Sequence, residues 1–195
     1  MSSREEILER VRKNQPKPAS PLPPIPTFDA GSSTSLDAFR ASLARMGGKF
    51  VEAAAEGNLD AQVRELFPDA RVICSATPEV KGNRALNVTR APQELNDVDV
   101  GVVRALFGVA ETGSLWLSEA EFHVNALGFL AQHLVVLLDP TAIVANMHRA
   151  YQHRGFFDAK YAVFMTGPSA TADIEGVLIH GAQGIRTMTI IPVPV

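Results

Sequence analysis

Apolar residues recur at two periods along this chain, and the changes of period mark out its elements. Ser3 with Glu6 reads as a capping box for a short helix through about Lys13. Its apolar face of Ile7, Leu8 and Val11 is too thin to stand alone, so it must pack on something else or fray. Pro16, Pro18, Pro21, Pro23, Pro24 and Pro26 then make an extended linker without a core of its own. From Ser35 the pattern is globular: Leu36, Phe39, Leu43 and Met46 repeat at helical spacing, and Gly47-Gly48 stops that helix before a short strand around Phe50. Asn58 caps a second predicted helix with an inner face of Leu59, Val63, Leu66 and Phe67, and a strand follows over 71–74.

Beyond Asp97 the pattern predicts short strands over 100–103, 108–110 and 115–117, a helix around 122–130 and a strand over 134–138. Asp139-Pro140 has the cap and first-turn proline of a helix start, with Ile143, Val144, Met147 and Tyr151 as its stripe. A strand over 161–165, reading as buried and parallel, a further helix and a strand over 187–191 complete the alternation. Such an order predicts an α/β domain over 35–195, a mostly parallel sheet covered on both faces, preceded by a helix and proline-rich arm over 1–34. The arm reads either as a reach toward another subunit or partner, or as a mobile tail.

The junction after the strand over 161–165 concentrates polar chemistry. Gly167-Pro168 turns the chain and Ser169 or Thr171 is positioned to cap a helix, whose free N–H groups would face a ligand at the sheet edge. Asp173 and Glu175 oppose an anionic ligand there. They favour a neutral polar, hydroxyl-bearing or cationic one unless Arg186 or a metal neutralises them. The same four polar residues also read as plain capping groups. A second polar segment, Ala110-Glu111-Thr112-Gly113-Ser114, lies between two apolar strands. It reads either as one wall of a pocket, with Glu111 as acid, base or nucleophile, or as a turn whose hydroxyls satisfy local backbone. Its glycine admits a ligand or another backbone closely.

Composition removes several classes. The 195 residues are 46% hydrophobic, enough to bury about 70% of the unfolded surface in one core. A net charge of −3, spread along the chain, gives no footprint for nucleic acid or anionic membrane. No apolar run approaches a membrane span and the N-terminus lacks a signal-peptide centre, so a cytoplasmic location is expected. One cysteine, Cys74, excludes an internal disulfide and any self-contained multi-thiolate zinc or iron–sulfur site; its setting suits a buried strand residue better than a reactive thiol. His148 and His153 stand about 140° apart on a helix, so no metal site is expected. The phosphate-loop, dinucleotide and α/β-hydrolase fingerprints do not occur.

Three segments in order, Gly108 to Leu117, Thr166 to Gly176 and His180 to Arg186, resemble the LUD domain, and more closely the LutC/YkgG lactate-utilisation proteins. These carry an A-[ED]-T-G-[ST] strand, a G-P-S-x-T-A-D-I-E junction and a final G-x-x-G-P segment. The resemblance implies a three-layer α/β/α fold, NagB/RpiA/CoA-transferase-like. It marks Glu111 and Asp173 as candidate catalytic residues. It marks Thr112, Gly113, Ser114, Gly167, Pro168, Ser169, Thr171, Glu175 and Arg186 as candidate ligand-binding residues. Relatives often carry a basic residue where Ala170 stands, and a histidine and proline where Gln183 and Ile185 stand, departures that weaken the case for an anionic substrate.

Three functions are thereby open. The resemblance implies an accessory subunit of a system that oxidises L-lactate to pyruvate, with iron–sulfur clusters on partner proteins and no cofactor on this chain. The residues alone equally allow a stand-alone enzyme or binder of a small polar metabolite, or a scaffold docked through its arm. A homo-oligomer is compatible with each.

Overall fold

The computed structural model describes residues 2–15, 21–54, 57–87, 91–172 and 176–195. Eleven strands are present among them: β1 (Lys49–Phe50), β2 (Ile73–Ser75), β3 (Val100–Arg104), β4 (Phe107–Val109), β5 (Ser114–Ser118), β6 (His133–Leu138), β7 (Ile143–Val144), β8 (Ala162–Met165), β9 (Ala170–Thr171), β10 (Ile179–His180) and β11 (Thr187–Pro192). Seven helices accompany them: α1 (Ser3–Lys13), α2 (Leu36–Arg45), α3 (Leu59–Leu66), α4 (Glu119–Phe122), α5 (Leu127–Leu130), α6 (Met147–Ala150) and α7 (Gly155–Asp158). None is long and apolar enough to cross a membrane.

The expected mostly parallel sheet forms from five strands in the order β1-β11-β6-β3-β2, every pair parallel. Its strands are apolar on both faces because both are covered. Along β6, Leu134, Val136 and Leu138 enter one core while Val135 and Leu137 enter another. The second core is closed by Leu59 and Val63 of α3, whose start is capped by Asn58 as the pattern predicts. The first is closed by Phe39 and Leu43 of α2, by Phe122 and Leu127, and by a second sheet.

That second sheet, β7-β4-β5-β8, is mixed: β7 is parallel to β4, and β4-β5 and β5-β8 are antiparallel. Its inner face sends Leu115 and Leu117 into the shared core, while Phe107, Val109 and Trp116 pack outward against Ala150, with Phe156 and Phe164 beside them. So the strand over 161–165 is neither parallel nor fully buried. Β8 is an edge strand of the mixed sheet, and an unbroken apolar run carries no information on partner direction.

Four further expectations change. The first capping box uses Ser2 and Glu5, one residue earlier, and Ile7 and Val11 of α1 stay exposed. The helix over 122–130 breaks into α4 and α5, because His123 adopts a left-handed φ of 56° that ends the first turn. Asp139 does cap at Thr141, but the helix stops after one 3-10 turn. The β-branched Ile143 and Val144 pair with Gly108 and Val109 instead, and Asn146 caps a new start at α6. After Gly167-Pro168 the chain enters β9 and pairs antiparallel with β10, so Ser169 and Thr171 cap no helix among the described residues.

Candidate functional site

The two resembling polar segments meet on the last turn of α2. Gly113 has φ 71° and Gly167 φ 75°; a Cβ on Gly113 would overlap the Leu43 backbone, and one on Gly167 would overlap the Met46 carbonyl. Both glycines therefore admit another stretch of backbone, the second of the two uses their position allows. Between them runs a chain of hydroxyls: Thr112 Oγ1 lies 2.7 Å from Ser114 Oγ, which lies 2.6 Å from Thr166 Oγ1. Adjacent strands β5 and β8 hold this chain, and Ser114 is buried, so its hydroxyl must be satisfied from within.

The third segment closes over the second. Ser169 N–H donates to Ile185 O at 2.9 Å and Ser169 O accepts Gly181 N–H at 2.8 Å. Pro168 lies against Gly47 together with His180. Ser169 and Thr171 thus spend their backbone donors and pairing on protein, not on an open helix end.

Glu111, two residues before Gly113, meets α2 at Ser42. Its N–H donates to Ala145 O at 3.1 Å, its carbonyl accepts Ser42 Oγ at 3.1 Å, and its Oε2 accepts Met147 N–H at 3.0 Å at the start of α6. The side chain is exposed and lines a cavity of about 460 Å³ with Ser32, Ser33, Ser42 and Arg45. Among the described residues Oε1 has no hydrogen-bond partner, which leaves one carboxylate oxygen to meet a hydroxyl or amine.

One wall of that cavity is the end of the N-terminal arm, strapped onto the body. Asn146 Nδ2 donates to Thr27 O at 2.9 Å, Phe28 O at 3.2 Å and Ser32 Oγ at 3.2 Å. Arg149 grips Asp29 through Nε at 2.9 Å and Nη2 at 2.5 Å, which holds the Asp29 carboxyl below its ordinary range and raises the guanidinium. The Phe28 ring, at a backbone φ of 51°, lies 4.5 Å from the His148 ring. The arm's last residues thus dock on their own domain, a contact sequence periodicity had no means of showing; Asn146 as a capping residue was the one available signal.

Arg186 lines a different cavity, of about 300 Å³, at the beginnings of β3, β6 and β11. There His133 Nδ1 lies 2.8 Å from Thr187 Oγ1, and the imidazole packs 4.9 Å from the Phe67 ring. Burial first, then the Arg186 charge, pushes its pKa down. Asp99 Oδ2 accepts the Val72 and Arg71 N–H groups, both at 2.8 Å, and these hold the carboxyl below its usual value. Asp173 and Glu175 lie outside the described residues. Among the described residues no group of three or more His, Cys, Asp and Glu side chains is arranged to hold a metal.

Comparison with known proteins gives the arrangement a family. Over 100 residues the chain is 27% identical to an uncharacterized protein of Neisseria meningitidis serogroup B, a match covering 50% of this chain and 43% of that protein, so less than half of the relative's length is spanned. The crystal structure of a DUF162 family protein from Deinococcus radiodurans superposes with a TM-score of 0.64 over 87% of this chain and 99% of that one; at 15% identity this likeness shows the fold. Residues 82–193, more than half of the chain and including all three converging segments, match the LUD domain, and the chain belongs to the LUD domain family.

Proposed function

We propose that this chain is a lactate-utilisation protein of the LutC type, an accessory subunit of a system converting L-lactate to pyruvate. What carries the reading is the meeting of the three resembling segments, two on the end of α2 and the third over the second, in a chain of this family. Oxidation of a secondary alcohol to a ketone releases two electrons and two protons, and the electrons need an acceptor. The chain's one thiol, Cys74, is fully buried in β2, and burial pushes its pKa up. A lone, protonated thiol does not ligate a cluster, so the iron–sulfur centres belong to partner proteins. To test this, the tagged chain is purified anaerobically from its host grown on lactate, and bound iron and co-purifying proteins are measured. A cysteine-rich, iron-bearing partner is expected; a colourless single species, or lactate oxidation by the isolated chain, would overturn the division of labour.

The cavity beside Glu111 favours a second reading, a stand-alone binder or enzyme for a small polar metabolite. A carboxylate with one unpartnered oxygen among the described residues stands among three serine hydroxyls and Arg45, a set suited to a hydroxyl-bearing ligand. Glu111→Gln keeps an oxygen for the Met147 N–H, so melting should hardly change while turnover or binding is abolished. A large loss of stability would instead make Glu111 a capping residue.

A further inference from the structure

The cavity around Arg186 holds permanent charges of both signs that the chain itself leaves open. Arg186 has no ion-pair partner among the described residues, and its backbone is fixed by its N–H donating to Gln132 O at 2.7 Å. Asp99 is ionised by the two backbone N–H groups, both of which reach Oδ2, leaving Oδ1 without a hydrogen-bond partner among the described residues. Asp69 adds a second, exposed carboxylate at the end of the turn after α3. Between them sits His133, with Nδ1 committed to Thr187 and its ring face on Phe67.

A singly charged ligand satisfies one wall only. An anion drawn to Arg186, with Lys49 and Arg71 nearby, also meets Asp99 and Asp69, and a cation drawn to the carboxylates also meets the guanidinium. A ligand with both charges satisfies both walls. Beside Gln132, the lining contributed by Leu66, Phe67, Pro68 and Ala70 is apolar and offers a place for a short hydrocarbon side chain.

We propose that this cavity is a binding site for a small zwitterion, a free α-amino acid with an apolar side chain. The carboxylate is taken by the Arg186 guanidinium, the ammonium by Asp99 and Asp69, and the side chain lies on Phe67. The site is separate from the Glu111 cavity and does not rest on either reading of it.

Calorimetric titration of the full chain with L-leucine, L-alanine, propionate and methylamine tests the assignment. Leucine is expected to bind more tightly than alanine, and the two singly charged probes to bind at least 10-fold more weakly than either. Arg186→Gln and, separately, the exposed Asp69→Asn should each weaken leucine by about 10-fold, the worth of one charge-assisted contact, while Glu111→Gln leaves it unchanged. Propionate binding as tightly as leucine would overturn the zwitterion assignment. No heat with any probe, or leucine binding indifferent to both Arg186→Gln and Asp69→Asn in chains with normal melting curves, would overturn the site.

Discussion

The two sheets differ in what their tight spots are for. Across the covered faces of the parallel sheet, close approach is made by interdigitating side chains, as where Val135 and Leu137 meet α3, and backbone meets backbone only at its edge, where Gly82 sits on the Ile73 carbonyl of β2 among the described residues. In the mixed sheet, two strand ends are sealed against α2 by backbone meeting backbone at Gly113 and Gly167, with a chain of hydroxyls between them whose middle member, Ser114, is buried. The first kind of contact tolerates exchange of one hydrocarbon for another of like volume. The second tolerates no added carbon. Residues that mark a family can therefore be fixed by packing geometry, while the groups free to meet a ligand, Glu111 Oε1 and the Arg186 guanidinium, stand beside the seal and not in it.

The sharpest way to break that contrast is to add the carbon. Gly113→Ala or Gly167→Ala combines a left-handed φ with overlap on the α2 backbone and should cost about 2–6 kcal/mol, read as a fall in thermal midpoint. A variant that melts normally would leave those glycines open to a ligand after all. Next is Ser114→Ala, which removes the buried middle of the hydroxyl chain while Thr112 Oγ1 keeps the residue 114 N–H, and should cost about 0.5–1.5 kcal/mol by denaturant titration.

Smaller is a pH effect from the Arg186 side. The folded pKa of His133 is depressed below its ordinary 6.5, so protonation is resisted in the native state. Its contribution is full above 6.5 and lost as pH falls through the lower folded value. Stability should decline below about pH 6.5, less steeply in His133→Gln. The weakest contrast is at the strap, where Arg149→Gln removes an exposed pair: the midpoint should stay unchanged while chymotryptic cleavage after Phe28 accelerates, and added salt should speed that cleavage in the parent chain but not in the variant.

What was legible in the sequence follows from which interactions are local. Caps at Asn58 and Asp139 and the apolar runs over 100–103, 134–138 and 187–191 all sit where the pattern places them, because period and capping are decided within a few residues. Partner choice is decided elsewhere. Ile143 and Val144 leave their helix for Gly108 and Val109, β8 turns out antiparallel, and Ala170 and Thr171 are taken by Ile179 and His180. Of the site, the polar segments and Arg186 were legible, but not that Arg186 faces His133 and Asp99, nor that Asp29 reaches Arg149 across 120 positions.

The chain also carries one reporter on each sheet. Trp116, its sole tryptophan, is stacked at 5.7 Å on Phe107 on the outer face of the mixed sheet, and Cys74, its sole thiol, is sealed in the parallel one. Indole emission and thiol exchange on the same unlabelled sample therefore follow separate halves of the molecule. Coincident transitions mean the two sheets unfold as one cooperative unit, and a thiol that opens before the indole shifts means the parallel sheet gives way first.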